Sequence, residues 1–304
     1  MRILANDGID KTALTAFEIH NMKVDTGHYD REELKKVIKD FDVLIVRSAT
    51  KVDREIIDAA KGGMLKLIVR AGVGIDNIDA EYARDCEIEV QNTPNASSDS
   101  VAELVIGHMF SLARFISIAN VTMRDGKWNK KEYEGIELAG KTLGIIGFGR
   151  IGRALAEKAS ALGMRVNFYD AYVKDDRKFE YREFDKLIAT ADFISVHTPY
   201  TGEAIIGERE FANMKEGVFI INAARGKVID EKALIAALNT DKVRGAGIDV
   251  FEKEPTVNFE LVKHPKVSVT PHIGASTKEA QERIAKEVVE TVLKFEYKLV
   301  DKAI

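Results

Sequence analysis

At 304 residues, 45% of them apolar, the chain is long enough for two ordinary domains, each with its own core. A net charge of −4 offers no basic surface for nucleic acid or an anionic membrane, and no apolar run reaches the length of about 20 residues that spans a bilayer. A single cysteine, Cys86, excludes an internal disulfide framework, so a small-molecule partner in a reducing, cytoplasmic compartment is expected, without nucleic acid or membrane.

The N-terminus reads as a first strand, Arg2 to Ala5, rather than a signal peptide. Further apolar strands are expected at Val43 to Val46, Lys66 to Val69 and Ile88 to Gln91. Between them, amphipathic helices are expected near Asp30 to Lys39, Asp53 to Ala60 and Asp79 to Asp85. Each helix opens on an acid that can cap it or favour its dipole. The alternation predicts βα units and a parallel sheet. Two loops after these strands carry cations, hydroxyls and glycine: Arg47 to Lys51, with Ser48, and Arg70 to Asn77, with Gly72, Val73 and Gly74. Each alone can be a mere turn; together they suit an anionic substrate bearing a phosphate as well as a carboxylate.

Asn92-Thr93-Pro94-Asn95 breaks the pattern, and Ser97 to Met123 reads as one long helix, apolar nearly all round. Such a helix is buried between layers or in a subunit interface. After a link over Gly126 to Gly140, a strand beginning at Lys141 breaks into Gly147-Phe148-Gly149-Arg150-Ile151-Gly152 and a helical pattern starts at once. The next strand, Val166 to Tyr169, closes on Asp170. Strand, glycine turn, helix, strand and acid at about twenty residues form the dinucleotide-binding fingerprint. Gly147 permits the turn, Gly149 lets the backbone approach a pyrophosphate, and Gly152 lets helix and strand pack closely. Asp170 can accept from ribose hydroxyls and repels a 2′-phosphate; Ala171 and Tyr172 supply no cation for one, which favours NAD over NADP.

Strands follow near Asp192 to Val196, Val218 to Asn222, Gly245 to Ile248 and Val267 to Val269, and the ends of such strands are where open α/β sheets bind ligands. Asn222-Ala223-Ala224-Arg225-Gly226 places a fixed cation among small residues, suited to gripping a carboxylate. Pro271-His272-Ile273-Gly274-Ala275 offers an imidazole for proton exchange, and Glu254, on the loop Phe251 to Pro255, can fix its tautomer. Spacing alone does not establish that contact. His197 ends a strand near the expected adenine side. His20, His28 and His264 read as surface residues, His108 as a core or interface residue, and no spacing suggests a metal site. The last helix, Lys278 to Tyr297, lies beyond the final strand and is expected to return to the first domain. That makes the first domain residues 1–95 with 277–304 and the cofactor domain residues 96–276.

The fingerprint, Asp170, Asn222 to Gly226, Asp249 to Pro255 and Pro271 to Ala275 together resemble the D-isomer-specific 2-hydroxyacid dehydrogenases over essentially the whole chain. The resemblance implies two Rossmann-like or flavodoxin-like α/β domains with parallel sheets and the active site in the cleft between them. It implies that Arg225 binds and polarises the 2-keto acid, His272 is the acid/base and Glu254 pairs with it. The implied NAD contacts are Gly147, Gly149, Arg150, Ile151, Gly152, Asp170, His197, Thr198, Ala223, Ala224, Arg225, Asp249, His272, Gly274, Ala275 and Val73. The implied substrate contacts are Arg47, Ser48, Arg70, Gly72, Val73, Gly74, Asn77, Arg225 and His272. A homodimer through the 97–123 region is also implied.

Val46 to Val52, Arg70 to Asn77, Asn92 to Asn95 and Asp125 to Trp128 look like segments of the members that oxidise D-3-phosphoglycerate, the first step of serine biosynthesis. Those members include longer chains with a C-terminal regulatory domain, which no segment here resembles. The nearest alternative is a family reductase for glyoxylate, hydroxypyruvate or D-lactate. The family-fold corepressors that act as NAD-sensing binding modules and a Rossmann-like methyltransferase are two further readings. The first needs a partner-recruiting tail that this sequence lacks, and the second leaves the Arg225, Glu254 and His272 segments unexplained.

Overall fold

Central strands rich in apolar residues cannot leave either face in water, and β-strands buried along their whole length, such as Val43–Val46, Phe193–Val196 and Val218–Asn222, define this fold. In the computed structural model, which describes residues 1–303 and side chains through Lys298, the chain divides into two units: Met1–Ser97 with Ala275–Ile304, and Ser98–Gly274.

The first unit runs β1 (Arg2–Ala5), α1 (Lys11–Ile19), β2 (Lys23–Asp25), α2 (Arg31–Val37), β3 (Val43–Val46), α3 (Arg54–Ala60), β4 (Leu67–Arg70), α4 (Ala80–Asp85) and β5 (Glu89–Asn92). Its parallel sheet has the order β2-β1-β3-β4-β5. Alternate side chains go to opposite faces. Ile3, Val43, Ile45 and Val69 meet Phe17 of α1, while Leu4, Leu44 and Ile68 meet Leu34, Ile56 and Ile57 of α2 and α3. The C-terminal helix, Lys278–Ala303, buries Ile284, Val288, Val292 and Phe295 on the same face as α1. Asp30 and Asp79 cap their helices by accepting first-turn N–H groups. The sequence reading missed α1 and β2. β2 is a three-residue edge strand, Lys-Val-Asp, with no apolar run, and α1 buries only Ala13 and Phe17.

The second unit opens with α5 (Ser98–Ala113) and α6 (Ile116–Arg124). Then come β6 (Thr142–Ile146), α7 (Arg150–Ala161), β7 (Arg165–Tyr169), β8 (Glu180–Tyr181), α8 (Phe184–Thr190), β9 (Phe193–Val196), α9 (Glu208–Asn213), β10 (Val218–Asn222), α10 (Glu231–Asn239), β11 (Val243–Ile248), α11 (Phe259–Val262) and β12 (Val267–Val269). All seven strands are parallel in the order β12-β11-β10-β9-β6-β7-β8. Strand order reverses between β6 and β9, which makes the space beyond their carboxyl ends the switch point where such sheets take ligands. α5 and α7 cover one face, with Val105, Met109 and Leu155 on Leu143, Ile145 and Phe193; α8 to α11 cover the other.

The single helix expected over Ser97 to Met123 is two, bent by 63°. At the break another segment packs in. Ile136 N–H donates to the carbonyl of Ala113 at 2.9 Å, and Gly135 lies so close that a Cβ would sit 2.3 Å from that oxygen. The segment occupies the space beside the end of α5, Phe115 turns left-handed at φ 58°, and α6 starts afresh. α5 is core, whereas α6 buries nothing within the chain and leaves Ile116, Val121 and Met123 more than half exposed. Among the described residues no single helix is long and apolar enough to cross a membrane.

Candidate functional site

At the switch point, β6 runs into Gly147, whose N–H donates to the Tyr169 carbonyl at 2.8 Å with φ +94°. A Cβ there would sit 2.6 Å from the His197 carbonyl oxygen, and one at Gly152 would sit 2.3 Å from the Gly147 carbonyl oxygen, so both positions require glycine. Gly149 differs: nothing lies within 4 Å of its absent Cβ, and as the N-cap of α7 it offers no side chain to the first-turn amides. Those amides, beside the exposed Arg150 and half-buried Ile151, open on free space, which fits a pyrophosphate.

Asp170 does more than close β7. Its Oδ2 accepts from Phe148 N–H at 2.7 Å, and its Oδ1 from Tyr172 and Val173 N–H at 2.8 and 3.0 Å. Desolvation pushes its pKa up, but the three N–H donors and nearby Arg153 outweigh it and hold the carboxyl below the usual range. Asp170→Ala is therefore expected to loosen the glycine turn as well as remove a ribose acceptor. NAD binding should weaken and discrimination against NADP relax, as read by titrating each cofactor; an unchanged preference would refute the role.

His197 and Thr198 follow β9. His197 Nε2 meets Ser195 Oγ at 2.8 Å, while its Nδ1 and Thr198 Oγ1 are buried without a hydrogen-bond partner among the described residues. Orphaned buried polar atoms beside the glycine turn fit a bound group that supplies the partners. Burial pushes the His197 imidazole down to about 4, so it is neutral near pH 7 and unsuited to proton exchange there.

Three further turns hold the chemistry. After β10, Asn222 braces its loop by donating to the Arg225 carbonyl at 2.8 Å and accepting from Ala224 N–H at 3.0 Å. Ala223 is buried and Ala224 half-buried. Arg225 Nη1 donates to the Ala224 carbonyl at 2.6 Å. A Cβ on Gly226 would lie 1.8 Å from the Phe251 carbonyl oxygen, so only glycine lets this turn touch the loop that carries Glu254. Buried Glu231 ties that loop down from α10, accepting Glu252 N–H at 2.8 Å and the Asn258 side-chain amide. Glu254 Oε1 accepts from Phe251 N–H at 3.0 Å, and its Oε2 lies 2.7 Å from His272 Nδ1. Desolvation raises its pKa, but His272, the Phe251 amide and Arg225 together hold it below the usual range. A carboxylate only accepts, so His272 carries its hydrogen on Nδ1 and leaves Nε2 for exchange. His272 is left-handed at φ 53°, and Asp249 and Gly274 are buried beside it.

The first unit's candidate loops are built from side chains too. Asp7 accepts from Arg47 N–H at 2.7 Å, Thr50 N–H at 3.0 Å and the Thr50 hydroxyl at 2.6 Å. Asn77 gives its amide to the Arg47 and Thr50 carbonyls, both at 2.7 Å, so it braces one loop against the other. Ser48 is exposed, and Arg47 lines a recess of about 470 Å³ with Asp10, Ser276, Thr277, Lys278, Gln281 and Glu282 at the start of the C-terminal helix. Arg70 folds over Gly72, where a Cβ would lie 1.4 Å from its Nη1. Val73 is exposed, its carbonyl taken by the Asn92 amide; Gly74 is half-buried, and Ala275 accepts from Gln281 at 2.9 Å.

Among the other histidines, His20 and His28 are exposed. His264, expected at the surface, is half-buried because Lys266 N–H and Asn239 hold its ring at 3.2 and 3.3 Å. Among the described residues no group of three His, Cys, Asp or Glu is placed to hold a metal ion. The roles of Asp7, Glu231 and Asp249 as braces escaped the sequence reading, since isolated acids on loops carry no signal of what they will accept.

Residues 106–274 match the family model described as D-isomer specific 2-hydroxyacid dehydrogenase, NAD binding domain. The chain belongs to that family. Its second unit carries the family's NAD-binding domain, and NAD is its cofactor. The chain is 47% identical over 300 residues to a hydroxypyruvate reductase of Thermotoga maritima, covering 96% of this chain and 97% of that protein. It is 44% identical over 302 residues to a D-3-phosphoglycerate dehydrogenase of Methanocaldococcus jannaschii, covering 97% of this chain but only 57% of the relative. Among solved structures, a glyoxylate reductase from Paecilomyes thermophila superposes with a TM-score of 0.87 at 32% identity, over 96% of this chain and 94% of that one.

Proposed function

We propose that the protein oxidises D-3-phosphoglycerate to 3-phosphohydroxypyruvate, the first step of serine biosynthesis. The observation that carries the choice within the family is Arg47, its backbone held by Asp7, in a recess where Lys278, Ser276 and Thr277 stand beside Asp10 and Glu282; the two cations and two hydroxyls suit a phosphate. Arg225 grips the carboxylate in a bidentate fork and polarises the carbon that reacts. His272 Nε2 takes the C2 hydroxyl proton in oxidation and returns it in reduction, while Glu254 fixes the tautomer and favours the charged ring. NAD, held at the glycine turn by the first-turn amides of α7 and by Asp170, would supply the hydride acceptor for C2 in oxidation and the donor in reduction.

The Thermotoga relative supports a second reading, a reductase of unphosphorylated keto acids such as hydroxypyruvate or glyoxylate, because the match spans nearly all of that protein. The two separate in one assay. NADH oxidation is followed with 3-phosphohydroxypyruvate, hydroxypyruvate, glyoxylate and pyruvate, comparing kcat/KM. A strong preference for the phosphorylated acid is expected; equal or better use of the others withdraws the phosphate site and leaves the dehydrogenase. The reading includes a cytoplasmic homodimer, with the bare apolar side of α6 as its contact.

A further inference from the structure

Beneath the His272 loop runs a chain of side-chain hydrogen bonds that begins at a buried histidine with no part in the proton transfer. His108 stands on α5, its Nε2 3.1 Å from Thr270 Oγ1 and its Nδ1 3.0 Å from Ser268 Oγ. Thr270 donates to Asp249 Oδ1 at 2.6 Å. The Asp249 carboxylate also accepts from Ile273 N–H at 2.8 Å and Gly274 N–H at 2.9 Å, and its backbone carbonyl takes His272 N–H at 2.8 Å. Gly247 of β11 makes the room: a Cβ there would lie 2.7 Å from His108 Cβ.

Around Thr270 the hydrogens have one arrangement, whereas Ser268 Oγ, which meets His108 Nδ1, also lies 3.2 Å from Ser111 Oγ. A carboxylate only accepts, so the single hydroxyl hydrogen of Thr270 is spent on Asp249. Thr270 can then meet His108 only by accepting, which requires the hydrogen on Nε2. Burial pushes the His108 pKa down against the pull of Asp249, consistent with a neutral ring whose Nδ1 faces the Ser268 hydroxyl. The load this chain carries is the left-handed His272, a conformation unfavourable for a non-glycine residue that persists only when its surroundings hold it. Every backbone N–H from residue 272 to residue 274 ends on Asp249.

We propose that His108 and Thr270 are positioning residues: the Nε2–H of His108 orients Thr270, Thr270 holds the Asp249 carboxylate, and that carboxylate clamps the 272–274 backbone so that His272 faces Glu254. The effect on rate rests on His272 being the proton-exchanging group; the effect on the loop does not. The test uses the full chain with four substitutions. Thr270→Val keeps the volume and removes the hydroxyl, and Thr270→Ser restores it. His108→Asn is too short to reach the Nε2 position, whereas His108→Gln reaches it.

Amide hydrogen exchange at Ile273 and Gly274 is measured without cofactor, and kcat, KM and Tm with it. T270V and H108N should exchange at both amides about tenfold faster or more, and lose about tenfold or more in kcat with KM little changed. T270S and H108Q should stay near the parent in both. Exchange at parental rates in T270V overturns the proposal, as does T270S falling as far as T270V. Faster exchange with kcat intact also overturns it wherever His272→Ala still abolishes turnover. If His272→Ala leaves turnover intact, the acid/base reading fails instead, and the exchange data alone decide the clamp.

Discussion

His272→Ala lowers turnover by ~10²–10⁴-fold in both directions while the affinity for NAD stays within a few-fold of the parent. The loss is that of a positioned proton carrier, and the geometry fixes which atom carries it. Glu254 Oε2, 2.7 Å from Nδ1, accepts and cannot donate, so Nε2 is the exchanging nitrogen. Because Glu254 is held below the usual carboxylate range, it remains ionised throughout the neutral region and favours the charged ring. Glu254→Gln keeps the shape and removes the anion. Its effect is smaller and falls on kcat: the acceptor that fixes the His272 tautomer is weakened, while the affinity for NAD stays near the parent. Parental kcat in Glu254→Gln contradicts that pairing, and intact turnover in His272→Ala removes the assignment altogether.

What the sequence makes legible is whatever one segment determines by itself. β3 is an uninterrupted apolar run, β10 is one closed by Asn222, and β12 is a valine pair about Ser268; the limits of all three match the expectation residue for residue. The glycine turn is equally local, since Gly147 and Gly152 answer contacts with the strands and carbonyls directly beside them. The break between α5 and α6 is not local. It coincides with the 135–136 segment packing back on the Ala113 carbonyl, and nothing between Ser98 and Arg124 announces that. The site follows the same division. Arg225 and His272 stand out as cations at strand ends among small residues, but Glu254 and His272 meet at 2.7 Å across 18 positions of chain, and Asp249 gathers three backbone amides with carboxylate and carbonyl. Contacts of that kind depend on how β11 and β12 lie side by side, with Ile248 opposite Val269, which periodicity does not specify.

Arg225→Ala costs about 10²–10⁴-fold in kcat/KM, the ~3–5 kcal/mol expected when two charge-assisted hydrogen bonds to a carboxylate are lost. The fold leaves little freedom for a substitute. Gly226 is pressed against the Phe251 carbonyl and Asn222 pins the Arg225 carbonyl, so the backbone cannot shift to bring a shorter side chain forward. Arg225→Lys keeps the charge but not the planar fork, and should recover only a small part of the loss. Because the Arg225 charge also helps hold Glu254 ionised, Arg225→Ala should raise the Glu254 pKa and narrow the pH range of activity from its acid side, while Arg225→Lys, which keeps the charge, should do so less. Added guanidinium separates the two contributions: it can refill the space left in Arg225→Ala and restore rate in proportion to its concentration. A lysine variant as active as the parent would show that charge alone suffices, and would leave the carboxylate without the two-point grip from which its orientation is argued.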